Sequence, residues 1–489
     1  MGQSFKQRVN LKLQANTNGA STLTLNRRQL VKSSLASIGL ATLSACRFNL
    51  SKAEPTSGNE APQYDYILTA EPSPLEILPG KTTPGLGFNG QFPAPVIRAQ
   101  QGKAIRILFV NNLSQATTIH WHGIRIDIKM DGVPFLSQAP VQPGETFLYE
   151  FVCPDAGTFW YHPHMHSVEQ LGKGLVGALI VDEAEAPEFD ADLVIGLKDW
   201  RLDKQGQFLP LSIPRHAARA GTLGTVESVN GEQRPTLLAP AGGLVRLRFL
   251  NMDSSRVYHL SLKDLDAHII AIDGSPVAKP RPLVTHDMGA GMRLDVAIRL
   301  TKEVGQDIVI YDKKGRGYFE LCRLQTEAPK QALLNTELRA LAPNPLPSLK
   351  LEEAQHLRFE FEWAGALSPV GHDGKVDQTF WTINRRAWAG MHSGTLPAPL
   401  AVVPLGKTIV MELHNATPHG HPIHMHGIIF TVLSSDKRTI DPFQTDTVLL
   451  ERNERATIAF VADNPGRWMF HCHVIEHMKT GLMGYITIA

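Results

Sequence analysis

The stretch His471-Cys472-His473-Val474-Ile475-Glu476-His477, entered through the apolar run Trp468-Met469-Phe470, decides how the rest of this chain is read. In an extended strand successive side chains point to opposite faces, so Cys472 looks one way while His471 and His473 look the other. A soft thiolate among imidazoles suits copper, and His477, four residues beyond His473, supplies part of a His₂Cys trigonal site. The flanking histidines then face a different pocket, and the backbone on either side of Cys472 becomes a through-bond route for electrons. Taken alone, the heptapeptide also fits a buried free cysteine among structural histidines. The rest of the chain separates the two readings.

An internal repeat supplies the organisation. Gly102 to Asn111 (GKAIRILFVN), Gly242 to Asn251 (GGLVRLRFLN) and Gly406 to Asn415 (GKTIVMELHN) share one Gly-to-Asn spacing and one apolar rhythm. A turn-forming asparagine precedes each, at Asn89, Asn230 and Asn384. Strands of period two, P-G and N-G turns and few helical stretches indicate an all-β chain of three consecutive antiparallel sandwiches, at 65–183, 192–328 and 345–489. The joints fall in the acidic segment 182–192 and in 325–349. The second joint is expected to begin as a helix over 330–341 and to break at Pro343, Pro345 and Pro347.

Extending the repeat outward places the histidines. The interval that leads from Asn111 to His120-Trp121-His122-Gly123 leads from Asn415 to His424-Met425-His426-Gly427. In the middle copy that place holds Leu260 beside a lone His259, so the second domain is expected to be free of metal. Likewise, Glu145 through Gly157 to His162-Pro163-His164 matches Glu454 through Gly466 to His471-Cys472-His473 at identical intervals. Pro163 stands where the third copy has Cys472, so only the third can hold a thiolate metal. Four H-x-H pairs related by a pseudo-twofold supply eight imidazoles, suited to a multinuclear cluster between domains one and three.

The motifs H-W-H-G, W-Y-H-P-H, H-P-I-H-M-H-G and H-C-H-V-I-E-H, in this order across three repeats, resemble the four copper signatures of the multicopper oxidases, the laccase group. The resemblance covers essentially the whole chain after its N-terminal segment. It implies three cupredoxin-like Greek-key β-sandwiches holding four coppers: a type 1 ion at Cys472, His421 and His477, a type 2 ion at His120 and His424, and a type 3 pair at His122, His162, His164, His426, His471 and His473. It also implies that a type 1 site near the surface collects electrons singly and that Cys472 passes them to the cluster, where dioxygen becomes water. Asp131, in Met130-Asp131-Gly132, matches an acidic position near the family's cluster and is expected to deliver protons, although an Asp-Gly turn needs no chemistry of its own. Met478 occupies a place where many bacterial relatives carry a second acid. Leu482 falls at the axial position, where many carry methionine; leucine cannot ligate copper. His166 matches no ligand position and is read as a supporting or solvated residue, and His392, His414 and His419 as loop or surface histidines.

Composition bounds the partners. Lys+Arg 48 against Asp+Glu 47 leaves no field to steer the chain of 489 residues to nucleic acid or an anionic membrane. Arg27-Arg28-Gln29-Leu30-Val31-Lys32 and the weakly apolar run to Ala45 form a twin-arginine export signal within 1–46, which predicts engagement of the twin-arginine translocation machinery and a periplasmic or cell-envelope destination. Leu43-Ser44-Ala45-Cys46 resembles a lipobox; acylation of Cys46 and ordinary cleavage nearby both remain open, and 47–64 reads as a polar tether. Four cysteines are too few for a disulfide scaffold, and geometry must decide whether Cys153 and Cys322 bridge domains one and two.

The expected activity is oxidation of phenols, aromatic amines or related small donors by dioxygen, in a chain expected to act as a monomer. Oxidation of manganese(II) or cuprous ions is the alternative. The 12 methionines are scattered, Met288 and Met292 being the one suggestive pair for a cuprous site, and a manganese site needs carboxylates that a sequence does not place. A non-enzymatic envelope protein of this fold would be expected to have lost ligands, and none is lost.

Overall fold

Three asparagines explain why the repeat folds three times in the same way. Asn89, Asn230 and Asn384 sit at φ 54°, 49° and 50°, a left-handed conformation that asparagine tolerates in tight turns. Each side chain reaches back to the first long strand of its copy. Asn89 accepts from the Thr69 N–H at 2.7 Å and donates to the Ile67 carbonyl at 3.0 Å. Asn230 does the same with Gly196 (2.8 Å) and Val194 (2.9 Å), and Asn384 with Glu360 (2.7 Å) and Arg358 (3.1 Å).

A second set, Asn111, Asn251 and Asn415, closes the repeated strand. Each is buried, accepts from the N–H two residues on, and donates to carbonyls of two loops. The acceptors are Gln115 and Val141 for Asn111, Arg256 and Met288 for Asn251, and His419 and Glu451 for Asn415, all within 2.9 Å. Shared spacing in the sequence is therefore shared hydrogen bonding.

The computed structural model describes residues 63–489 apart from 186, 264, 368–377 and 389–395, so the twin-arginine segment, Cys46 and His392 lie outside the described residues. Their strands form six sheets, two for each sandwich. In the first, one sheet runs Lys81–Phe88, Tyr66–Leu78, Ala104–Asn111, Thr146–Val152, and the other Ile97–Gln100, Gly177–Asp182, Gly157–His162, His120–His122. Tyr66–Leu78 pairs parallel with Ala104–Asn111, and each of the other two copies repeats this parallel pair. Separate apolar cores form around Phe109 and Trp121, around Phe249 and Leu260, and around Leu413 and Trp468. Leu260 thus fills with core the place where the other copies present histidine.

Register carries the histidines to one place. His120 pairs across its sheet with His162, and His424 with His471, so the first and third sandwiches expose the same four-imidazole edge. No helix among the described residues is long and apolar enough to cross a membrane.

The helix expected over 330–341 does not form. That segment runs without regular structure: Leu338 and Leu341 pack on Leu244, Ile270 and Ala297, Leu334 N–H donates to Asp190 at 2.8 Å, and Asn335 turns at φ 52°. Anchoring to the middle sandwich outweighs local helix propensity. Cys153 and Cys322 are free thiols in the cores of different sandwiches, and burial pushes each up to about 12, so no bridge joins them.

Asn251 ties three segments of the middle sandwich together. Asn251→Ala strands one buried and one partly buried carbonyl and one buried N–H, and should lower the urea stability of this sandwich by about 2 kcal/mol. An unchanged midpoint would mean that water takes over these contacts.

Candidate metal centre

Eight histidines from four strand ends meet between the first and third sandwiches, all buried. His120 stacks on His426 and His122 on His424, both at 3.8 Å between ring centroids, while His162 meets His473 and His164 meets His471, both at 5.3 Å. These equal pairs are the pseudo-twofold implied by the repeat. Ring nitrogens converge in sets: those of His120, His424 and His426, of His120, His122 and His162, and of His164, His426 and His471 each lie within 4.8 Å of one another.

The donor set fits a metal for a reason visible in its hydrogen bonds. Nδ1–H of His120, His162, His424 and His471 donates outward to the carbonyls of Asp131 (2.8 Å), Pro163 (3.1 Å), Asp446 (2.9 Å) and Cys472 (2.9 Å). Each such bond fixes the tautomer and turns a bare Nε2 inward. His122 is reversed, its Nε2 engaged by Asp446 at 3.2 Å and its Nδ1 facing in. The inward nitrogens of His120, His122, His162, His164 and His424, and both nitrogens of His473, are buried without a hydrogen-bond partner. So many orphaned acceptors in one cavity are costly unless a cation takes them. Burial, reinforced by neighbouring imidazoles, holds His122, His164, His426 and His473 well below the ordinary imidazole value, in the neutral form that ligation requires.

The thiolate set lies in the third sandwich. Cys472 Sγ stands 3.5 Å from Nδ1 of both His421 and His477, and these two nitrogens are 3.1 Å apart. His421 uses Nε2 with Thr417 Oγ1 at 2.8 Å, and His477 donates from Nε2 to the Arg219 carbonyl at 2.8 Å, leaving both Nδ1 atoms for the sulfur side. The short helix Ile475–Lys479 brings His477 back over Cys472. Leu482 shares the apolar cluster of Cys472, while Met483 belongs to a different cluster with Met469 and Tyr485. His421 and His477 are wholly buried, with Trp381 packed on both rings and the backbone of exposed Arg219 bonded to His477, so the set lies beneath one layer of residues.

Asp131 is held where the cluster needs it. Gly132 turns at φ 79° so close to Ile119 that an added Cβ would come within 1.7 Å of that carbonyl. This glycine lets the buried Asp131 carboxylate meet His426 Nδ1 at 3.0 Å and His120 Nδ1 at 3.3 Å. His166 is exposed, His419 is partly buried beside Trp381, and His414 lies 3.6 Å from Glu360; none of the three joins either set.

Two residues that the motifs did not reveal complete the centre. Buried Asp446 touches His122 and His424 (3.2 and 3.3 Å) and takes a bidentate ion pair from Arg293 of the middle sandwich, at 2.9 and 2.5 Å. Burial works against its charge, but Arg293 and His424 hold its carboxyl well below the usual range. Arg293 is shared with Asp273, which burial raises to about 7. The available signal was an aspartate, in Thr445-Asp446-Thr447, on the threshold of an apolar strand; Arg293 carried none. Asp446→Asn should weaken copper retention about 10–100-fold, as loss of a partner that orients ligands does. Competition against a chelator reads it, and wild-type retention would reduce Asp446 to a structural ion pair.

Multicopper oxidase family models match residues 69–186 and 369–489. The chain is similar to the crystal structure of a multicopper oxidase from Pseudomonas thermotolerans, with 43% identity and TM-score 0.79 over 87% of this chain and 100% of that one. It is 28% identical to the multicopper oxidase mco of Staphylococcus aureus, over 86% of this chain and 88% of the relative. It is also 28% identical to Laccase-2 of Botryotinia fuckeliana, over 86% and 81%. By these likenesses and its buried histidine–cysteine centre, the chain belongs to the multicopper oxidase family, copper oxidoreductases that use dioxygen.

Proposed function

We propose that this oxidase is an exported, laccase-like enzyme that takes single electrons from phenols or aromatic amines and reduces dioxygen to water. The observation that carries the reading is the place of Cys472: its sulfur faces His421 and His477 while its chain neighbours His471 and His473 face the eight-imidazole cluster. Copper, when bound at Cys472, His421 and His477 and at the eight clustered histidines, supplies one-electron acceptors in the number that a four-electron reduction needs. Four donors each give up one electron and one proton, and one dioxygen takes four of each to yield two waters. Cys472 and its flanking peptide bonds form the covalent path between the two donor sets. Asp131 orients His426 and His120 and is the group placed to hand protons to the cluster. The twin-arginine signal supports export to the envelope.

The cuprous-ion alternative draws less support. Met288 and Met292 are both buried in the middle sandwich, and the Met292 sulfur accepts from the Gly289 N–H, so this pair offers nothing to a cuprous donor.

Oxygen uptake by copper-loaded protein against phenol, manganese(II) and cuprous donors tests the reading. Uptake should be fastest with the phenol and absent in Cys472→Ser, which should also lose the blue thiolate absorption. Rapid uptake with manganese(II) or cuprous ion and none with phenols would replace the proposal.

Leu482 sets the second expectation. It lies on the Cys472 side of the strand end and offers no thioether, which leaves oxidised copper less stabilised and the potential higher than with methionine. In redox titrations Leu482→Met should lower the potential and Met483→Leu should change it little. The reverse pattern would transfer the axial position to Met483.

A further inference from the structure

The loop 210–223 of the middle sandwich has no partner in the copper motifs, yet it is built as one piece and placed over the electron entry. Arg201 ties its two ends, donating to the carbonyls of Pro210 (2.8 Å) and Leu223 (3.0 Å), and the Ile213 N–H bonds to Thr222 Oγ1 at 3.0 Å. Glu476, inside the histidine–cysteine heptapeptide, clamps it from the third sandwich. It accepts from Ser212 Oγ at 2.6 Å, from Thr222 Oγ1 at 2.9 Å and from the Thr222 N–H. Trp381 Nε1 donates to Ala217 O at 2.9 Å and His477 Nε2 to Arg219 O at 2.8 Å. An electron reaching His477 through its Nε2 edge crosses this loop.

The outer face of the loop has one sign of charge. Its sequence, Pro210-Leu-Ser-Ile-Pro-Arg-His-Ala-Ala-Arg-Ala-Gly-Thr-Leu223, holds two arginines, one histidine and no acid. Arg215 and Arg219 are exposed, and among the described residues neither has an ion-pair partner. The carboxylate that does touch the loop, Glu476, is buried and saturated by three donors from it. The Arg219 backbone carbonyl accepts from His477 Nε2 at 2.8 Å while its side chain is exposed, so this residue joins the solvent to the rim of the thiolate site.

We propose that loop 210–223 is the donor-docking surface and that Arg219, with Arg215 beside it, selects aromatic donors carrying negative charge, carboxylated phenols in particular. This rests on the oxidase reading and narrows its substrate class. Arg219 acts by holding an anionic donor next to the carbonyl that bonds His477, so its contribution belongs in KM and in the salt dependence of kcat/KM rather than in the thiolate spectrum.

The test compares syringate with its neutral methyl ester in the copper-loaded wild type, Arg219→Glu and Arg219→Lys. At low ionic strength Arg219→Glu should lose about tenfold more kcat/KM for syringate than for the ester, mainly through KM, with the gap closing as salt is raised. Arg219→Lys should keep most of the preference, and the blue absorption of both variants should match that of the wild type. Equal losses for the two donors, or no loss for either, would overturn the selection by charge while leaving the oxidase reading standing. A copper-loaded wild type that oxidises neither donor would overturn both.

Discussion

Everything in this molecule depends on a set of imidazole nitrogens kept bare inside protein. A buried acceptor without a donor is normally costly, and here at least six histidines present one to a common cavity. Two features make that arrangement possible. Outward hydrogen bonds from the opposite ring nitrogens, to backbone carbonyls for His120, His162 and His424 and to the Asp446 carboxylate for His122, fix those tautomers, and burial keeps the rings neutral so that they do not repel one another as cations. The carbonyls come from the loops and strands that carry the histidines, so the sandwich fold and the ligand geometry are a single construction.

The middle sandwich lacks every histidine pair but is tied to both donor sets. Through Arg293 it neutralises Asp446 beside His122 and His424, and through loop 210–223 it covers His477. A carboxylate buried against two candidate ligands would cost several kcal/mol if left unpaired, so the arginine from a third body is what allows the aspartate to remain ionised there. Burial of Arg293 is repaid in turn by Asp273 and by its bond to the Thr158 carbonyl of the first sandwich. The centre is thus held by three sandwiches although its candidate ligands come from two.

The pseudo-twofold of the cluster is broken at one covalent point. Pro163 and Cys472 occupy matching places between paired histidines, and only the cysteine can link a second donor set to the cluster through the chain. Only the third sandwich therefore holds a second donor set, and the loop contributed by the second lies against it.

The sequence by itself determined the three-copy β architecture, because the Gly-to-Asn strand and its preceding asparagine are local devices whose hydrogen bonds close within one copy. It also determined the histidine and cysteine candidates, since their spacing on paired strands is set by the period of the backbone. Tertiary structure alone decided the rest. The 330–341 segment looked helical by propensity and became an extended strap, because packing against Leu244 and Ile270 outweighed it. The loop from another sandwich that lies over His477 and Trp381 could not be read from the motif, because it belongs to a segment whose Arg219 stands 258 residues before His477. Arg293 and Asp446 had no legible role, because charge pairing across sandwiches depends on contacts between residues more than a hundred positions apart; the bond from His477 to the Arg219 carbonyl spans a still longer interval, and no local spacing records either.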